Sequence, residues 1–278
     1  MDPMQTVVLG AIAGATIVLG LPLGRLRTTS PTTRTFLNAV AIGVLVFLLW
    51  DVLAHAWEPV DTALAAGDLL PASGFAALLL AGLAAGLLGL TAYEQRLTRP
   101  RTPTGPQRHG PGAMAQAEAV RGVAAWSTAR RSALLIAVGI GLHNFAEGLA
   151  IGGSAARGEI GLAVVLVIGF ALHNATEGFG IVAPLSAAGE RPSWGFLLAL
   201  GAIGGGPTFI GTIVGQQFTS DAVSVAFLGL AAGSILYVVV QLVGVAVRSS
   251  ARWALQTGLL VGLAAGFVTD MIVTAGGA

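Results

Sequence analysis

The sequence predicts an all-α integral membrane protein with eight transmembrane helices. Of the 278 residues, 55% are hydrophobic and only 10% are charged, whereas a soluble domain carries roughly 25% charged residues. Eight apolar runs are each long enough, at roughly 20 residues, to cross a bilayer. The 40 glycines are about twice the usual share and lie within these runs, which is typical of transmembrane helices that pack closely.

The eight predicted spans, taken in chain order, divide the protein into two sets of helices around one long polar loop. The spans cover residues 4–24, 35–57, 72–93, 132–153, 160–184, 193–216, 222–247 and 253–274. The first run follows an acidic residue and ends without a cleavage signal, so we interpret it as a span and not as a signal peptide. Residues 1–95 thus hold helices 1–3 and residues 131–278 hold helices 4–8, all in one membrane domain.

The loop at 96–130 is predicted to be cytoplasmic and disordered, because it opens with the Arg-, Pro- and Gly-rich stretch RLTRPRTPTGPQRHGPG. All 14 basic residues of the chain are arginines. With eight spans, thirteen of them fall in loops on one side of the membrane, and Arg157 stands alone on the other. Because positive loops stay in the cytoplasm, both termini are expected outside. We expect the plasma (inner) membrane as the location.

Two consecutive spans carry the same polar pattern at membrane depth. The fourth contains HNFAEG at 143–148 and the fifth contains HNATEG at 173–178. Burying an ionisable side chain there costs on the order of 2.5–3.5 kcal/mol, so such groups are functional candidates. Positions i and i+4 share a helix face, and two facing helices would form a nitrogen and oxygen cage for a divalent metal. The candidate metal ligands are His143, Asn144, Glu147, His173, Asn174 and Glu177. The alternative is that these groups only hydrogen-bond between helices.

The second span ends with three further polar residues on one face. Asp51, His55 and Glu58 follow one another at i, i+4 and i+7, so we predict that they line the mouth of a pathway. The alternative is an ordinary interfacial helix end, because a Trp precedes Glu58 and a Pro follows it. The absence of cysteine excludes thiolate ligands and thiol catalysis.

The paired hexapeptides resemble the fourth and fifth helices of the ZIP (Zrt/Irt-like) family of divalent metal transporters. Eight spans, outside termini and a long third loop extend the resemblance over nearly the whole chain. It implies a metal site midway across the membrane, an elevator-type movement and a homodimer. It assigns His143, Glu147 and Glu177 to the primary metal site, Asn144 and Asn174 to a neighbouring secondary site, and His173 to the leading position of the fifth-helix motif.

One departure from the family concerns the sixth helix. Many members have a Glu immediately before a Pro there, whereas this chain has Gly206 before Pro207. The resemblance therefore implies that one secondary-site carboxylate is missing. We expect one bound metal ion instead of two, and we expect Gly206→Glu to restore a second site.

The predicted function is the transport of a divalent metal, with zinc as the first candidate, into the cytoplasm through the site between helices 4 and 5. Selectivity for iron, manganese or cadmium is an alternative, because imidazole and carboxylate ligands suit these ions too. Another alternative is an intramembrane zinc-dependent hydrolase. It has less support, since the chain lacks HExxH and shows no general base beside the ligands. We expect no enzyme activity, no cofactor beyond the transported metal, and membrane lipid but no nucleic acid as a partner.

Overall fold

The computed structural model describes residues 2–26, 30–98, 122–158, 160–217 and 220–275. Within these ranges the secondary structure is entirely helical, and eight segments are long and apolar enough to cross a membrane. The predicted fold class is therefore confirmed. The α-helices are α1 (Pro3–Ala15), α2 (Pro31–Ala65), α3 (Leu69–Thr98), α4 (Thr128–Ala156), α5 (Ile160–Ala187), α6 (Trp194–Gly215), α7 (Asp221–Ala246) and α8 (Arg252–Ala275).

Three of the helices begin with the same serine cap. Ser30, Ser127 and Ser193 precede α2, α4 and α6, and each hydroxyl accepts a hydrogen bond from the backbone N–H three residues later. Such a cap satisfies one of the free N–H groups at a helix start. All three lie on the side where the arginine-bearing loops are, which we call the arginine-rich side. When successive spans cross the membrane in alternating directions, the even-numbered helices must all begin on the same side.

The first span differs from the continuous helix expected over residues 4–24. Helix α1 ends at Ala15 and continues as two short 3₁₀ helices, Thr16–Leu19 and Leu21–Arg25. The interruption occurs where this span packs closely on α5, since a Cβ on Gly20 would lie 2.1 Å from the carbonyl oxygen of Ala175. The carbonyl of Ala13 just before the break accepts hydrogen bonds from Asn174 Nδ2 at 2.9 Å and Thr16 Oγ1 at 2.6 Å. Backbone polar groups that a broken helix frees inside a membrane need such partners.

Two predicted boundaries also differ from the structure. Helix α2 does not end at residue 57 but runs through Pro59 to Ala65. Proline removes one helical hydrogen bond, and the exposed flanking residues here leave water to satisfy the freed carbonyl. Helix α3 reaches Thr98 and α4 starts at Thr128, so both extend into the segment predicted as a loop. Residues 99–121 of that loop lie outside the described residues, and Gly122–Ala125 form a 3₁₀ turn.

The eight helices pack as two groups of four. The first bundle contains α1, α4, α5 and α6, and the second contains α2, α3, α7 and α8. The tightest pairs within the bundles are α4 with α6, α3 with α7 and α2 with α8, where glycines let backbones touch. Small residues allow this close approach, and in a membrane such packing holds helices together. The two bundles meet mainly along α4 with α7 and along α2 with α5.

The largest described hydrophobic core cluster joins the two bundles, and much of it lies on the arginine-rich half of the molecule. We call this shared part the apolar seal, and it includes Ala41, Ile42 and Leu45 of α2, Leu135 and Ile136 of α4, Ile181 and Leu185 of α5, and Val238 and Leu242 of α7. All of these lie toward the arginine-rich side. The same cluster reaches Val52, Ala146 and Ala231 beyond the seal, and two smaller described clusters lie on the opposite half, one within each bundle. The structure is therefore closed toward the arginine-rich side.

Candidate metal centre

The antiparallel pairing of α4 and α5 brings the two hexapeptides face to face. His143 Nε2 lies 3.0 Å from Glu147 Oε1 and 3.7 Å from Glu177 Oε1. His173 Nε2 lies 2.6 Å from Glu147 Oε1. One ligand atom from each of His143, His173 and Glu177 can be chosen so that all lie within 4.8 Å of one another. Two imidazoles and two carboxylates from two helices thus form a single cluster near the middle of their spans.

The cluster is buried and contains two carboxylates. Glu147 is 4% exposed and Glu177 is 1% exposed, and no arginine is among the described buried residues. Glu147 Oε2 and both oxygens of Glu177 have no hydrogen-bond partner. Buried carboxylates are stable only when a cation or hydrogen bonds compensate them. One divalent cation would supply two positive charges, and imidazole with carboxylate is a donor set that zinc accepts.

The two asparagines of the motifs are held by their amide nitrogens. Asn144 Nδ2 donates to the carbonyl of Gly204 on α6 at 3.0 Å, and Asn174 Nδ2 donates to the carbonyl of Ala13 on α1 at 2.9 Å. Both side chains are fully buried, and neither Oδ1 atom has a partner. The interhelical hydrogen bonds of the packing alternative therefore exist, but they use the nitrogens alone. The oxygens remain available to a cation.

The residues at the end of α2 are only partly brought together. His55 Nδ1 lies 3.4 Å from Asp51 Oδ1, and the Asp51 carboxylate is within electrostatic range of Asp270 on α8 and of the site histidines His143 and His173. Glu58 is exposed and makes no ion pair within the described part of the chain. Asp51 and His55 thus lie on the side of α2 from which the site could be approached, and Glu58 lies apart from them.

A small cavity lies beside His173 where the two bundles meet. It measures about 60 Å³ and is lined by α2, α5 and α8, with His173, Thr176 and Thr269 as its polar side chains. A cavity of on the order of 10–15 Å³ measured in this way already holds a water molecule, so this one has room for water. It shows that the second bundle does not pack tightly against the imidazole of His173.

The sixth helix differs from the expectation drawn from the family. Gly206 lies on the α6 face of the exposed Ala202 and Ile213, and a Cβ there would meet nothing within 4 Å. A glutamate at this position would point away from the metal cluster, so the expectation that Gly206→Glu restores a second site was wrong. The reason is helical phase, since Gly206 is about 200° around the helix from Gly204, which accepts the bond from Asn144.

Thr208 is a buried polar residue that sequence reasoning missed. It lies one turn after Gly204 on the α6 face toward α1 and α4, is fully buried, and its hydroxyl has no partner. Residues four apart share a helix face, so the spacing predicts that Thr208 and Gly204 lie together. The spacing does not show which face of α6 is directed toward α1 and α4. Nothing in the local sequence indicates that orientation.

Comparison with known proteins agrees with the geometry. The chain matches the ZIP Zinc transporter family over residues 101–273, which is more than half of its length and includes both hexapeptides. A search of curated proteins returned no match. Members of the family are transporters, which disfavours the hydrolase alternative. With eight helices long and apolar enough to cross a membrane and a family match over more than half of its length, the chain belongs to the ZIP family of divalent metal transporters.

Proposed function

We propose that the protein carries Zn²⁺ toward the arginine-rich side of the membrane, with His143, Glu147, His173 and Glu177 holding the ion in transit. The observation that carries this proposal is Glu177. Its carboxylate is buried at mid-membrane, has no hydrogen-bond partner, and lies 3.7 Å from the imidazole of His143. A structural carboxylate would be paired. A carboxylate without a hydrogen-bond partner suits a cargo that arrives with its own charge and leaves again.

The charge of the cluster favours one ion at a time. Glu147 and Glu177 balance one divalent cation, and Asn144 and Asn174 add oxygens without adding charge. The α6 face toward α1 and α4 presents Gly204 and Thr208 and no carboxylate. Two dications close together repel strongly in a low-dielectric setting unless additional carboxylates bridge them. We therefore propose that the asparagine oxygens complete the shell of a single ion.

The entrance is proposed to lie at the end of α2 opposite the arginine-rich side. Asp51, His55 and Asp270 place two carboxylates and one imidazole there, and Asp51 is in electrostatic range of the site histidines. Negative charge at a mouth raises the local cation concentration and speeds capture. Glu58, which is exposed farther along α2, would contribute to this field without contacting the ion. A homodimer in the plasma membrane also belongs to the proposal, on family resemblance alone.

Uptake by the purified protein in vesicles tests the function. We expect Zn²⁺ to accumulate down its gradient without ATP, as measured with radioactive Zn²⁺. Inhibition of Zn²⁺ uptake by Fe²⁺, Mn²⁺ and Cd²⁺ will give the order of selectivity. If one of these ions inhibits uptake more strongly than unlabelled Zn²⁺ does, that ion is the preferred cargo. Protein that binds Zn²⁺ and never moves it would contradict transport and favour the hydrolase.

The orientation can be tested cleanly because the native chain has no cysteine. Ser220 and Ser250 flank α7 at its two ends, and both are exposed. In intact cells, a membrane-impermeant maleimide is expected to label Ser220→Cys directly and Ser250→Cys only after permeabilisation. The two variants are matched controls for each other, since each makes the same small change. The reverse labelling pattern would show that the arginine-rich side faces outward.

A further inference from the structure

An ion that leaves the cluster toward the arginine-rich side must pass the apolar seal. The contact between α2 and α5, which we call the α2–α5 seam, runs through that region. The two helices are antiparallel, and three contacts define their register. Leu48 lines the same cavity as His173, the Ala41 Cβ lies 3.8 Å from the position of a Cβ on Gly180, and Arg34 Nη1 donates to the Ser186 carbonyl at 2.9 Å.

Asn38 lies on the same face of α2, between Ala41 and Arg34. Residues three and four apart share a helix face, so the spacing 34, 38, 41 follows the seam. At 1.5 Å per residue, Asn38 is about 9 Å along the axis from Val44, which lines the cavity next to His173. The α5 position that contacts this stretch, Gly180, has no side chain. The Leu242 Cδ1 of α7 also lies 3.4 Å from the position of a Cβ on Gly180, so the barrier between the cluster and Asn38 consists of aliphatic side chains.

The amide of Asn38 repeats the arrangement found at the metal cluster. Its Nδ2 donates to the carbonyl of Leu242 on α7 at 3.1 Å, and its Oδ1 has no partner although the residue is only 3% exposed. Asn144 and Asn174 are held in the same way, by nitrogen, with a free oxygen. Leaving a buried carbonyl oxygen unpaired is unfavourable, and a single role in pinning α2 to α7 would not require it.

Other buried polar side chains near the seal are satisfied. Thr35 donates to Ser249 Oγ at 2.7 Å, Ser234 donates to the Ala231 carbonyl at 2.8 Å, and Tyr237 donates to Glu94 at 3.0 Å. Among the described residues on the arginine-rich side of the cluster, Asn38 Oδ1 is thus the one buried side-chain oxygen without a partner.

We propose that Asn38 is a release residue, whose Oδ1 binds the divalent cation after it leaves Glu177 and passes between Ala41 and Gly180. A carboxamide oxygen is a neutral ligand for a hard or borderline cation. It therefore lowers the free-energy barrier for a cation that crosses the seal. Because it carries no charge, it does not hold the ion as tightly as a carboxylate would. Arg34 closes the end of the seam by holding the Ser186 carbonyl, and this contact must open for the ion to leave. The inference rests on the proposed direction of transport.

A cysteine at position 38 tests whether a cation reaches this point. We expect purified Asn38→Cys to develop the ultraviolet charge-transfer band of a Cd²⁺–thiolate bond, because Cd²⁺ binds thiolate strongly and the chain has no other cysteine. Val40→Cys is the matched control at the same depth, on the part of α2 whose backbone packs on Gly262 of α8, and it should show no band. A band in neither variant, or an equal band in both, would overturn the proposal.

Ala41→Cys provides a second probe that leaves Asn38 in place. It lies on the seam next to Gly180, so it should also show the Cd²⁺ band if Asn38→Cys misfolds. Absence of the band in a folded, metal-transporting Ala41→Cys protein would contradict the route. If the wild-type protein binds Cd²⁺ and transports it while neither cysteine ligates, this inference alone fails. If the wild-type protein binds no metal, the proposed function fails.

Asn38→Leu separates a release role from a packing role. We expect transport turnover to fall about tenfold, which is the typical effect of losing one contact to a charged group. The dissociation constant for Cd²⁺ at the cluster should stay within about twofold of the wild-type value. A purely structural asparagine would instead leave turnover at the wild-type level in the folded fraction and lower only the thermal stability. That result would overturn the proposal.

Discussion

Glu177→Gln is expected to abolish Zn²⁺ uptake in reconstituted vesicles, with a loss of about a hundredfold or more, while the protein still folds and reaches the membrane. The glutamate accepts no hydrogen bond in the structure, so the amide of similar shape costs little packing. The substitution removes half of the negative charge that balances a divalent cation. Glu147→Gln should have the same effect on uptake and should also loosen His173, whose Nε2 lies 2.6 Å from this carboxylate.

Binding measured by equilibrium dialysis gives a readout apart from transport. We expect one tightly bound Zn²⁺ per wild-type chain and none in Glu177→Gln. The control is Glu190→Gln, which removes a half-buried carboxylate paired with Arg130 at 3.3 Å and should leave both binding and uptake near the wild-type level. Near-normal uptake by both cluster variants would remove the shared metal site. Two tightly bound ions per wild-type chain would refute the single-ion proposal.

Gly148→Ala is expected to lower the melting temperature in detergent by about 10 °C, a size typical of overpacking a well-packed interface. A Cβ on Gly148 would lie 2.2 Å from the backbone oxygen of Thr208 on α6. Backbone atoms cannot rotate away, so α4 and α6 must separate. Because Glu147 is the adjacent residue, this displacement should also weaken Zn²⁺ binding.

Gly206→Ala is the matched control, because it adds the same methyl group on α6 where a Cβ meets nothing within 4 Å. Its melting temperature should stay the same or rise, since alanine is more favourable than glycine in a helix by about 1 kcal/mol. Equal melting temperatures for the two variants would show that α4 and α6 do not touch at Gly148.

Local properties of the chain were sufficient to predict the spans and the main cluster. Hydropathy and length predict a transmembrane helix without reference to its neighbours, because the bilayer requires each span to satisfy its own backbone hydrogen bonds. The four-residue spacing of His143 and Glu147, repeated in α5, puts each pair on one helix face. Two consecutive spans are antiparallel, so the structure brings the two pairs together as expected. Their role as ligands remains a proposal.

Contacts between distant parts of the chain decided the remaining features. The sequence does not indicate which carbonyl holds Asn144 or Asn174, where α1 breaks, or that Gly206 faces away from the cluster. Nor does it indicate that Asn38 lies on the α2–α5 seam. Apart from the break in α1, each of these depends on the rotation of a helix about its own axis, and an apolar span with small residues on several faces has no distinct polar side that would set that rotation. Only the close packing of one backbone against another sets it, as at Gly148 with Thr208.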